Sequence, residues 1–188
     1  MKLKDIFLLC ILANNMDFEK LLEERYSKET IHSIATFLVE HPENLNSYLQ
    51  LIETSEAGTS QRAAWALGHA GVMDKTLLIA YLPNLIRLLE KPRHDSVARN
   101  IYRILQFLDI PENFEGIIYD LCIRDLLDPK QPIAVKCFGM TTAFNICKKH
   151  VELQPELKIV IEENLEDASA GYKSRARKIL PKLKSAEF

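Results

Sequence analysis

Arg62, Trp65 and His69 stand at positions 0, +3 and +7 of a helical spacing. The same spacing gives Arg99, Tyr102 and Gln106, then Lys136, Gly139 and Ala143, then Arg175, Lys178 and Lys182. At about 100° per residue these positions share one helix face. Arginine beside large aromatics is the residue mix concentrated at protein-binding hot spots, so the chemistry this pattern offers is recognition. The same residues also suit packing. Trp65 and Tyr102 can plug a seam between helices, Tyr102 needing a polar partner for its hydroxyl, and arginines can bond a neighbouring acidic residue or a helix end. Spacing alone leaves both uses open.

Catalytic signals are missing where they would be easiest to see. The histidines are His32, His41, His69, His94 and His150, and no two share the i, i+4 spacing of a helical metal site. There is no GxxxxGK[ST] loop, no GxGxxG and no GxSxG. Glu23-Glu24, Glu162-Glu163 and Glu166-Asp167 read as polar helix faces whose charge is solvated. Cys10, Cys122, Cys137 and Cys147 lack CxxC spacing, and Cys122 and Cys137 fall at apolar helical positions, so reduced thiols in a cytoplasmic protein are expected. Neither a metal nor a cofactor is expected.

The elements that must hold the face recur. Arg62, Arg99, Lys136 and Arg175 are separated by 37, 37 and 39 residues. Ten positions before each stands Ile52, Leu89, Leu126 or Leu165, and fourteen before stands Tyr48, Leu85, Cys122 or Ile161. Five after stands Leu67, Ile104, Thr141 or Leu180. A period of this size marks a repeated supersecondary unit stacked along an axis. Helical periodicity dominates. It predicts a first pair at 16–25 and 29–40, then helices at 43–53, 61–70, 77–90, 96–108, 112–127, 133–148, 155–166 and 172–184. Ala57-Gly-Thr-Ser60 reads as a turn with a Ser or Thr cap, and Asp95 or Ser96 as the cap of the helix that follows.

Composition agrees with a soluble helical protein: 47% apolar, 27% charged, with 6 Gly and 8 Pro among 188 residues. The formal net charge of −2 gives no global basic signal for nucleic acid or membrane. Between Ala168 and Ala186, however, every charged residue is basic. The N-terminal Ile6–Ala13 run imitates a short signal peptide, but Asp5 interrupts it, no small-residue cleavage site follows, and it is too short to span a bilayer. Residues 1–15 read as an extension, with Met16 an alternative start.

Leu82-Pro-Asn-Leu-Ile-Arg-Leu-Leu-Glu90, a polar turn and Val97-Ala-Arg99 resemble a HEAT repeat, and Gln61-Arg-Ala-Ala-Trp-Ala-Leu-Gly68 resembles the second helix of one. Pro83 fits, because HEAT repeats kink or restart the first helix at such a proline. The third copy departs, with Gly139 and Thr141 where large apolar residues stand elsewhere. The resemblance implies an all-α, armadillo-like superhelix of four to five helix pairs: one domain over 1–188, with a degenerate capping pair at 16–41 and four repeats at 43–184. The chain also resembles small bacterial HEAT-like proteins, some labelled adenylosuccinate lyase. The lyase superfamily's Ser-Ser-x-Met-Pro-x-Lys-x-Asn loop is absent, so that activity is not expected. The resemblance implies a non-catalytic scaffold that binds a protein or peptide on its concave face, using Arg62, Trp65, His69, Arg99, Tyr102, Gln106, Lys136, Arg175, Lys178 and Lys182. The alternative is a nucleic-acid binder of the DNA-glycosylase kind, for which a uniformly positive concave face would speak.

Overall fold

Amphipathic stretches joined by short polar links have one economical way to bury their stripes, which is to pair and then stack the pairs. The computed structural model describes residues 17–24, 27–92 and 94–183. Among them are ten α-helices and no strand. They are α1 (Phe18–Glu24), α2 (Lys28–Glu40), α3 (Leu45–Thr54), α4 (Ala57–Met73), α5 (Leu82–Glu90), α6 (Asp95–Leu105), α7 (Glu112–Leu127), α8 (Ile133–Cys147), α9 (Gln154–Glu163) and α10 (Ala170–Ile179).

The second helices α2, α4, α6, α8 and α10 pack side by side in chain order as one layer. Behind them α5, α7 and α9 pack as the other layer, with α3 on α4 and α1 against α2 and α4. Repeat-equivalent positions form the core between the layers. Tyr48, Leu85, Cys122 and Ile161 are fully buried, as are Ile52, Leu89 and Leu126. Leu165, the last of that second series, lies past the end of α9 and is half-buried. At the N-terminal end, Phe18 sets its ring edge against Phe37 at 5.8 Å and Tyr48 at 4.9 Å, which docks α1 onto both α2 and α3.

Helix ends correct the sequence reading in several places. The segment 57–60 is the first turn of α4, not a turn before it. Ser60 is buried, its amide bonds the Glu56 carbonyl at 2.9 Å, and its hydroxyl donates to the Ile52 carbonyl at 2.7 Å. It therefore serves a carbonyl near the end of α3, where helices leave such groups unpaired. The cap of α6 is His94, whose Nδ1 accepts from the Ser96 amide at 3.1 Å. Pro83 falls in the first turn of α5, after a 3-10 turn at Ile79–Tyr81, where a proline costs no hydrogen bond. A similar 3-10 turn precedes α9, which begins one residue before the expected 155 and ends at Glu163, short of the expected 166. The helix expected at 172–184 begins at Ala170 and leaves α-geometry after Ile179. Residues 1–15, with Cys10 and the apolar run, lie outside the described residues.

Close approach between α4 and α6 depends on two glycines. A Cβ on Gly68 would stand 2.9 Å from Asn100 Oδ1, and one on Gly71 would stand 3.0 Å from Ile104 and Leu78.

Candidate partner-binding face

In the second-helix layer, one side of each helix rests on the first-helix layer, two flanks rest on neighbours, and one side remains open. On α4 the open side carries Arg62, Trp65 and His69, all half-buried. Arg62 Nη1 donates to the Leu22 carbonyl in the last turn of α1 at 2.7 Å, so it also ties α1 down. Trp65 and His69 have ring centroids 5.9 Å apart, and with Lys28, Glu29 and His32 they line a groove of about 510 Å³ between α2 and α4. Burial, then the nearby charges of Arg103 and His32, hold His69 below the ordinary imidazole pKa.

The face turns at α6. Arg99 and Gln106 lie on the open side, but Tyr102 is 0% exposed and its hydroxyl donates to Asp125 Oδ2 at 2.7 Å. Tyr102 therefore takes the packing role, not the surface one. Asp125, 2% exposed, also accepts from Arg124 Nε at 2.8 Å and from Gln131 Nε2 at 3.2 Å. Arg124 in turn donates to the Leu89 carbonyl at 3.0 Å. This seam joins α5, α6 and α7 with the link that leads into α8. Arg103, one residue beyond Tyr102, occupies the open side instead. Positions 0 and +4 share a helix face as well as 0 and +3 do, so Arg103 was within reach of the sequence pattern.

On α8 the expected positions turn inward. Gly139 and Ala143 are buried, and Lys136 is 9% exposed with its ammonium 3.5 Å from Asn164 Oδ1. Burial lowers the Lys136 pKa, with Asp128 pulling the other way. Lys136 belongs to a separate cleft of about 520 Å³ between the α7–α8 and α9–α10 links, lined also by Glu163, Glu166, Asp167 and Tyr172. The open side of α8 carries Thr141 and Asn145. Asn145 Nδ2 donates to the Gln106 carbonyl at 2.9 Å and Lys148 Nζ donates to Asn145 Oδ1 at 2.7 Å. Arg175 Nη1 reaches Thr141 Oγ1 at 2.8 Å. Lys178 and Lys182 are exposed, and Lys182 and Lys148 both lie over the Phe144 ring, at 5.9 Å and 4.9 Å from its centroid.

Charge separates by layer. In α2, α4, α6, α8 and α10 nine Lys and Arg stand against three acids, Glu29, Glu40 and Asp95; in α3, α5, α7 and α9 three stand against nine Asp and Glu. A second polar cluster, unseen in the sequence, lies at the α7 start. Glu115 is 3% exposed and accepts from Lys149 at 2.8 Å and His150 at 2.6 Å, while Lys149 also meets Asp109 at 2.9 Å. The cavity beside Glu115 is about 40 Å³, enough for a water but no organic ligand. Cys122 and Cys147 are buried, Cys137 half-buried, and burial pushes the Cys147 thiol up to about 12, where it is no nucleophile. Among the described residues no group of His, Cys, Asp and Glu is placed to hold a metal ion. No described helix is long and apolar enough to cross a membrane.

Stacked helix pairs with one layer of second helices open along its length define an α-solenoid. The model of the HEAT repeat domain matches residues 18–183, and the chain belongs to the HEAT repeat family. No curated protein and no solved structure matches it, so no named relative supports the lyase resemblance.

Proposed function

We propose that this HEAT repeat protein is a non-catalytic scaffold that binds a protein or peptide along the open side of its second-helix layer. One observation carries the reading. Side chains of α2, α4, α6, α8 and α10 follow one another on that side: His32 shares the groove with Trp65 and His69, Arg103 lies near His69, Asn145 bonds the Gln106 carbonyl and Arg175 bonds Thr141, so that a single extended partner can touch every repeat. The buried acidic groups Asp125 and Glu115 instead have their oxygens occupied by neighbours, which is the arrangement of structural ties. Residues 43–184 then act as four repeats, closed at the N-terminal side by the 16–41 pair.

The test is affinity capture from native lysate, comparing the natural chain with Trp65→Ala, His69→Ala and Arg103→Ala, followed by cross-linking of what is captured. Partners should cross-link to second-helix residues and be lost in the variants. Cross-links confined to α3, α5, α7 and α9 would sink the reading. Nucleic-acid binding is the second reading, favoured by the nine-to-three excess of basic over acidic residues in the second helices.

A further inference from the structure

Building on the proposed protein-binding face, we infer that its partner is an extended acidic segment, with acidic side chains about three residues apart and an apolar residue at one end. Four observations lead there. Arg99 and Arg103 are half-buried on the open side, and among the described residues neither guanidinium has a hydrogen bond or ion pair. Half-buried, unpaired guanidinium groups gain most from a partner that brings carboxylates, because the fork geometry takes them two oxygens at a time.

The second observation is the order of features along the layer. The groove beside Trp65 and His69 lies between α2 and α4, Arg103 lies on α6, Lys148 follows α8, and Lys182 follows α10. Packed helices stand about 8–10 Å apart, and a peptide extended in the polyproline II conformation advances about 3.1 Å per residue and returns to the same face every three residues. Each helix-to-helix step therefore spans about three residues of such a peptide, which puts an acid in reach of each basic group in turn and an apolar residue in the groove.

Third, the track does not suit a phosphate backbone. A nucleic-acid strand carries a charge about every 3.4 Å, whereas the basic groups here come helix by helix, Arg99 and Arg103 on α6 and then Lys148 past the end of α8, with the amides Gln106 and Asn145 between them. Of the aromatics in the column, Trp65 and His69 offer stacking surface at one end of the track only, since Tyr102 is buried against Asp125. Fourth, the acidic first-helix layer repels a long polyanion that overhangs the edges, but leaves a short segment confined to the open side unaffected.

The probe is a fluorescently labelled peptide of about twelve residues, about 37 Å in that conformation, with Glu at every third position and a terminal Leu. Its isomer groups the same glutamates in one block. Anisotropy titrations at low and physiological salt use the full chain, Arg103→Glu with Lys148→Glu, and Arg87→Glu with Lys158→Glu. The last pair changes net charge equally but on the first-helix layer. Circular dichroism confirms the fold of each, and Arg103→Gln with Lys148→Gln replaces the reversal if that unfolds. The spaced peptide should bind, weaken with salt, prefer the natural chain over the Arg103/Lys148 variant by about tenfold or more, and be indifferent to the Arg87/Lys158 variant. Equal loss in both variants, or equal binding of the block isomer, overturns the spaced track. Tighter binding of an oligonucleotide of matching charge, lost in the Arg103/Lys148 variant, reassigns the face to nucleic acid. No peptide binding at low salt overturns the acidic partner, yet a captured protein still cross-linked to the second helices leaves the scaffold reading standing.

Discussion

At the scale of residues, Tyr102 shows how one position decides between surface and core. Its hydroxyl meets Asp125 at 2.7 Å where neither group is open to water. Tyr102→Phe leaves that carboxyl one donor short, and a buried acceptor losing a partner costs about 1–3 kcal/mol. Urea denaturation should register a loss in that range; an unchanged midpoint would mean water replaces the hydroxyl. The sequence made the need for a partner readable but not its direction, because Asp125 is 23 residues away and belongs to the next repeat. Arg62 was similarly ambiguous, and it serves a helix end while remaining on the open side. Lys136 kept the repeat register yet turned inward, its ammonium 3.5 Å from Asn164 Oδ1 beside the α9–α10 link. Register was legible from apolar spacing. Rotation of each helix was not, since it is set by the volumes of side chains in adjacent repeats.

Element boundaries were legible where a proline or an apolar stripe fixed them, as in α7, which runs over the expected 112–127. They were misread where a hydroxyl had a tertiary use, as Ser60 does. The contact between the start of α7 and the residues just after α8 carries a pH response of its own. The hydrogen bond that His150 donates to Glu115 raises the His150 pKa. That contribution to stability is complete below the unfolded imidazole value of about 6.5 and is lost as pH rises through the higher folded value. Glu115 behaves oppositely: burial pushes its pKa up, but the bonds from Lys149 and His150 outweigh it and hold it low. Its contribution is present above the unfolded carboxyl value of about 4.3 and fades as pH falls through the lower folded value. The cluster is strongest between these limits. The melting temperature should fall from about pH 6 to pH 9, and His150→Gln, which keeps a hydrogen-bond donor, should flatten that decline. A His150→Gln profile parallel to the natural one would locate the alkaline loss elsewhere.

Across the whole molecule, stability is shared between nearest neighbours. Leu89 and Leu126 are fully buried at equivalent places in successive repeats. Leu→Ala at either should destabilise by about 2–5 kcal/mol. Because each repeat is braced only by those beside it, amide exchange should quicken first in helices flanking the substituted one. Uniform quickening from α1 to α10 would indicate a single cooperative unit instead. The unequal charge of the two helix layers has a further effect, unrelated to any partner. With opposite signs on opposite broad sides, the molecule carries a large electric dipole across its thickness although its formal charge is only −2. Adsorption to a charged bead depends on the side that turns toward it, not on the sum. At neutral pH and low salt the protein should therefore be held by cation-exchange and anion-exchange resins alike, eluting from each as salt screens the contact over about 10 Å. Passage straight through the cation exchanger would show that the basic side is too weak, or too well covered, to orient the molecule.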